Sequence, residues 1–89
     1  MPQTFSKDPN AVLDYTIDWS TWLDDDTIST SAWTVASGLT KDSDSNTTTA
    51  TTVWLSGGTA GTQYTAVNRI VTVGGRTEDR TLTIVVQER

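Results

Sequence analysis

Paired carboxylates are the first chemistry the sequence offers. Asp14 and Asp18 share one side of an alternating run, Val12 to Trp19, and two carboxyl groups flanking a scissile bond are the least that glycoside hydrolysis needs. Extended at about 3.3 Å per residue, they stand roughly 13 Å apart, beyond the window of about 5–9.5 Å that either hydrolytic geometry uses. Both read as solubilising positions. Asp42-Ser43-Asp44-Ser45-Asn46 has the opening spacing of a calcium loop, whose oxygens must converge on a hard cation. Thr47 occupies the place of the turn glycine and Val53 that of the bidentate glutamate, so a solvated turn is expected instead. Asp24-Asp25-Asp26 reads as a charged loop end, because adjacent carboxylates repel and favour turns. The glycines from Gly57 to Gly61 lack the lysine and following helix of a phosphate cradle. Asn46-Thr47-Thr48 is formally a glycosylation acceptor, but no secretory segment follows Met1-Pro2-Gln3, so it reads as chance.

Composition narrows the chemistry further. The 89 residues include no cysteine and no histidine, which removes thiolates, disulfides, imidazole bases and the common zinc or haem ligand sets. The expectation is a chain that is not an enzyme, with no catalytic, cofactor-binding or metal-ligating residues. A net charge of -5 argues against nucleic acid as a partner, since phosphate neutralisation needs surplus lysine and arginine. No run of even ten apolar residues is present, so no membrane span or signal core is expected, and the chain is expected to be made in a cytoplasm. Thr and Ser together supply 27 residues, against a hydrophobic share of 35%. A thin core under a hydroxyl-rich surface follows, and at this length stability is modest unless partner subunits add to it.

The elements that position these groups are strands. Leu13, Tyr15, Ile17 and Trp19 alternate with Asp14, Thr16 and Asp18, a period of two that only a strand keeps on separate faces. Further runs are Thr27 to Val35, a short edge at Leu39-Thr40-Lys41, Thr47 to Leu55, Tyr64 to Val73 and Arg80 to Gln87, with Ser20 to Asp26 and Ser56 to Gly61 as loops. The reading is an all-β, small immunoglobulin-like β-sandwich of six to seven antiparallel strands over residues 11–89, preceded by an extended arm, residues 1–10. Tyr64, after Gly61, is a candidate tyrosine corner, or else an ordinary core aromatic. For the last two strands, a Gly74-Gly75 turn sets Arg69 opposite Arg80, a like-charge clash. A loop of Gly74 to Arg76 instead sets Tyr64, Ala66, Asn68 and Ile70 beside Val86, Ile84, Leu82 and Arg80, leaving Val71 and Val73 outward, and this register is adopted. A four-residue loop gives a competing face through Val67 and Ile84.

Four tryptophans in so short a chain need a core or an interface. Trp19 and Trp33 continue inward faces. Trp54 lies between Val53 and Leu55 and points away from them; Trp22 sits in the acidic loop. The arm, too polar to fold alone, carries Phe5 as its one aromatic and is expected to lie across a neighbouring subunit. Candidate partner-interface residues are therefore Phe5, Trp22, Trp54, Val71 and Val73.

The order of landmarks resembles a family of small virion proteins, the phage fibre-tail adaptors. The residues carrying it are Lys7-Asp8-Pro9, Val12-Leu13-Asp14-Tyr15 with Asp18-Trp19, Asp26-Thr27-Ile28, Trp33-Thr34-Val35, Gly38-Leu39-Thr40, Val53 to Gly61, Tyr64, Gly74-Gly75-Arg76-Thr77 and Glu88-Arg89. Ala36-Ser37 departs from it where a proline is expected before the Gly-Leu turn. The resemblance implies a bacteriophage structural protein of the virion tail or neck. Such a protein links tail fibres or spikes to the particle through contacts with tail fibre, tail tube or neck proteins, in multiple copies around the tail axis, with no cofactor. A capsid decoration protein and a carbohydrate-binding module using Trp22 and Trp54 are the alternatives.

Overall fold

The computed structural model describes residues 3–88; Met1 and Pro2 of the expected arm, and Arg89 at the end of the expected domain, lie outside them. Among the described residues seven strands form two sheets. The first sheet contains β1 (Gln3–Lys7), β7 (Thr77–Val86), β6 (Thr62–Thr72) and β3 (Ile28–Val35), in that order. The second contains β2 (Leu13–Asp18), β5 (Ala50–Gly57) and β4 (Leu39–Asn46). The alternation read in the sequence decides which side of each strand is buried. Tyr15 and Ile17 from β2, with Val53 and Leu55 from β5, meet Trp33, Ala66, Ile70, Leu82, Ile84 and Val86 of the other sheet in one core.

A polar network fastens the two layers from inside. The Trp19 indole N–H donates to Thr51 Oγ1 at 3.2 Å and Asn68 Oδ1 at 3.1 Å, and Thr51 donates to the same oxygen at 2.7 Å. The Asn68 amide nitrogen then donates to Ser31 Oγ at 2.9 Å and to the Ala32 carbonyl at 3.1 Å. Trp19, Thr51 and Asn68 are each fully buried, so these bonds replace water that has been lost and fix β3, β5 and β6 to one another. The Tyr64 ring has a comparable locking role. A Cβ at Gly38 would come within 2.9 Å of it and one at Gly58 within 3.4 Å, so the ring occupies a slot that two glycines leave open. Its phenol oxygen accepts the Thr59 backbone N–H at 2.9 Å, the backbone tie expected of the corner reading.

Four expectations change. The arm is extended, but Gln3–Lys7 pairs with β7 of its own chain, and in parallel, where only antiparallel strands were expected. It needs little apolar content because backbone bonds to β7 hold it, while Phe5 packs beside Tyr15 (ring centroids 4.9 Å apart) and Lys7 is buried. Asp42 to Asn46, expected as a turn, continues β4 to Asn46. Only Leu39 of that strand is buried, and the register shifts between Lys41 and Ser43, so this edge strand shows no alternation to read. Ser20 to Asp26 contains a one-turn helix, α1 (Ser20–Leu23), anchored by Leu23 in the core and by Asp18 Oδ1 accepting the Ser20 N–H at 2.9 Å.

The fourth change is a register. The β6–β7 connection is Val73 to Arg76 and not Gly74 to Arg76, with Thr72 N–H bonded to the Arg76 carbonyl and Gly75 at φ 91°. Tyr64 therefore faces Ile84, Ala66 faces Leu82 and Asn68 faces Arg80. That is two residues from the adopted register, with the same faces in and out. The slide sets Arg69 opposite Asp79, whose carboxylate takes two guanidinium bonds at 2.8 and 3.0 Å.

Candidate interaction faces

Each sheet turns one face to the core and one outward, and the two outward faces differ in chemistry. On the β1-β7-β6-β3 sheet, Thr65, Val67, Arg69 and Val71 alternate with the buried Tyr64, Ala66, Asn68 and Ile70, opposite Thr83, Thr81, Asp79 and Thr77. Methyl and hydroxyl groups dominate this face. The charges on these paired positions close on each other as the Arg69–Asp79 pair, in which the guanidinium holds the Asp79 carboxyl below the ordinary aspartate value.

The outward face of the β2-β5-β4 sheet is acidic and carries an indole. Trp54 on the central strand is 41% exposed, while Val53 and Leu55 beside it are fully buried. Its cross-strand partners are Asp14 on β2 and Ser43 on β4. Thr16 and Thr52 bond through their hydroxyls at 3.0 Å, and Ser56 Oγ donates to Asp42 Oδ1 at 3.1 Å. Val12, 56% exposed, stands just before β2.

At one end of the molecule, α1 and the β6–β7 hairpin are clamped by Arg76 and Asp26. The Asp26 carboxylate accepts the backbone N–H of Thr27 at 2.9 Å and of Gly74 at 3.0 Å, and the Arg76 Nε–H at 3.2 Å. Arg76 also donates to the Leu23 carbonyl at 2.9 Å and lies 4.3 Å over the Trp22 ring. The Thr72 hydroxyl, these two backbone N–H groups and the guanidinium together hold the Asp26 carboxyl down to about 2. A depressed carboxyl stabilises the fold fully above its unfolded value of 3.8 and loses that contribution as pH falls through about 2. Melting curves recorded across that interval should therefore show a steeper acid loss for the wild-type chain than for Asp26→Asn; superimposable pH profiles would contradict the clamp.

Of the five expected interface residues, Trp54 is exposed, Val71 is half-buried on the opposite outward face, and Val73 is 72% exposed at the hairpin tip. Phe5 and Trp22 are half-buried and packed on the core, Trp22 edge-on to Trp19 with centroids 5.5 Å apart. The structure thus brings no single cluster out of the five. The sequence reading set Asp26 in a charged loop end and Arg76 in the hairpin loop without pairing them. Their partnership spans fifty positions in the chain and has no local spacing to betray it. Among the described residues no group of acidic side chains is arranged to hold a metal ion, and no helix is long and apolar enough to cross a membrane.

A family model described as podophage GP4 fiber-tail adaptor protein gp77 matches residues 7–85. The chain belongs to this adaptor family. The match takes in β2 through nearly all of β7, and of β1 it reaches only Lys7. Comparison with curated proteins gives no match. Membership makes the protein a phage structural component with an adaptor role in the virion tail, interacting with other tail proteins.

Proposed function

We propose that this adaptor bridges a tail fibre or spike to the tail or neck by protein contacts alone, in multiple copies around the tail axis, without catalysis or cofactor. The family match over residues 7–85 carries this reading. The two outward faces support it, because a bridge needs separate surfaces for two bodies, and a neutral Thr/Val sheet lies back to back with an acidic one bearing Trp54. Trp54, Val71 on the other sheet and Val73 at the hairpin tip are the contact residues the reading assigns. Phe5 and Trp22 act beneath the surface by holding β1 and α1 in place. The fold reading that goes with it is immunoglobulin-like. The orders β2-β5-β4 and β7-β6-β3 correspond to the two sheets of a constant-type domain, with the first strand moved from one sheet to the other. Particles assembled with and without this chain test the function: those lacking it should keep their tails and lose their fibres, whereas full fibre occupancy would refute the role.

A further inference from the structure

Resting on the adaptor reading, we propose that the outward face of the β2-β5-β4 sheet docks a cationic protein surface, which receives the Trp54 indole in an apolar pocket. Asp14 stands directly across from Trp54, and Asp42 is bonded to Ser56 two residues further along β5. No lysine or arginine lies on β2 or β5, and Lys41 of β4 is paired with Asp44 at 3.6 Å and has inward-facing Leu55 as its cross-strand partner. Among the described residues neither Asp14 nor Asp42 forms an ion pair, unlike Arg69 and Asp79 on the other sheet, although the buried Lys7 ammonium feels the Asp42 charge from within the fold.

This charge decides the occupant. A second copy meeting the same face through a two-fold axis would bring Asp14 and Asp42 of both chains together, a like-charge contact between molecules that each carry -5. A partner presenting lysine or arginine around an apolar hollow meets carboxylates with the opposite sign and an indole with a pocket. Tryptophan at the centre of a patch ringed by polar groups is the residue type that most often dominates binding energy. The ring is also ordered before contact, since Thr16 with Thr52 and Ser56 with Asp42 already satisfy each other, so little freedom is lost on docking.

The test titrates purified chain onto tails assembled without it. Wild-type affinity should fall with rising salt. Trp54→Ala should weaken binding by roughly 30-fold or more while leaving the urea midpoint unchanged, which separates docking from folding. Asp14→Asn combined with Asp42→Asn should slow association and flatten the salt dependence. Undiminished binding by folded Trp54→Ala, or binding indifferent to salt, would overturn this face as the site while the adaptor role stands. Binding of the wild-type chain to a glycan array, lost in Trp54→Ala, would also overturn it in favour of a sugar platform. Failure of the wild-type chain to bind tails at all would remove both the role and the face.

Discussion

Trp19→Ala should bring the free chain to the edge of unfolding. The side chain is fully buried, and truncating a core tryptophan costs about 3–5 kcal/mol in lost transfer and cavity terms. The substitution also removes the indole donor, leaving Thr51 and Asn68 bonded only to each other at this point, and the lost hydrogen bonding adds about 1 kcal/mol. Arg80, 4.3 Å from the ring, loses its stacking surface as well. At about 0.05–0.15 kcal/mol per residue, a domain of this size has on the order of 4–13 kcal/mol in total. Urea unfolding followed through the remaining tryptophans should show a loss of about 4–6 kcal/mol. Trp22→Ala, at a half-buried site, should lose far less. A loss for Trp19→Ala below about 2 kcal/mol would mean that the layers are not fastened through this network.

Lys7 gives the second large effect. Its side chain is fully buried, with Nζ donating to the Gly57 carbonyl at 2.7 Å and the Asp8 carbonyl at 2.9 Å. The ammonium thus ties β1, in one sheet, to the end of β5 in the other. Lys7→Ala removes both the packed stem and the donor, and about 2–4 kcal/mol should be lost; Lys7→Met keeps most of the stem and should lose less. Burial lowers the Lys7 pKa from 10.5, so the unfolded chain holds this proton to higher pH than the folded one. Stability contributed through Lys7 consequently rises with pH in the interval below 10.5 and levels off above it. Lys7→Met should lack that alkaline rise. A rise of equal size in both chains would place its origin elsewhere.

Much of the fold was legible because alternation reports burial directly. Tyr15 and Ile17, with Tyr64, Ala66, Asn68 and Ile70, were assigned to inward faces by period alone and are buried, whereas Leu13, placed on the face of Tyr15, is 38% exposed at the start of β2. Trp19 and Trp33 are buried too, while Trp54 points out as its neighbours require. Alternation has nothing to report where both faces are wet, which is why β4 beyond Lys41 read as a turn. Nor does it register a slide by two, since an even shift preserves every face. The Arg69–Asp79 pair was the signal that selects the true register, and weighing opposite charges as well as like ones would have found it. The arm illustrates a different limit: a polar strand can be held by backbone bonds to β7 and one buried lysine, neither of which leaves a hydrophobic pattern. At the acidic face the sequence supplied Trp54, but the neighbours that give it a chemistry, Asp14 and Ser43, became visible only through strand pairing.

Imaging intact particles beside particles assembled without this chain tests the central claim most directly. The account predicts density fitting a two-layer, seven-stranded domain between fibre and tail in the first, and its disappearance together with the fibres in the second. Density for this chain on the capsid faces, or fibres that stay attached in its absence, would contradict it.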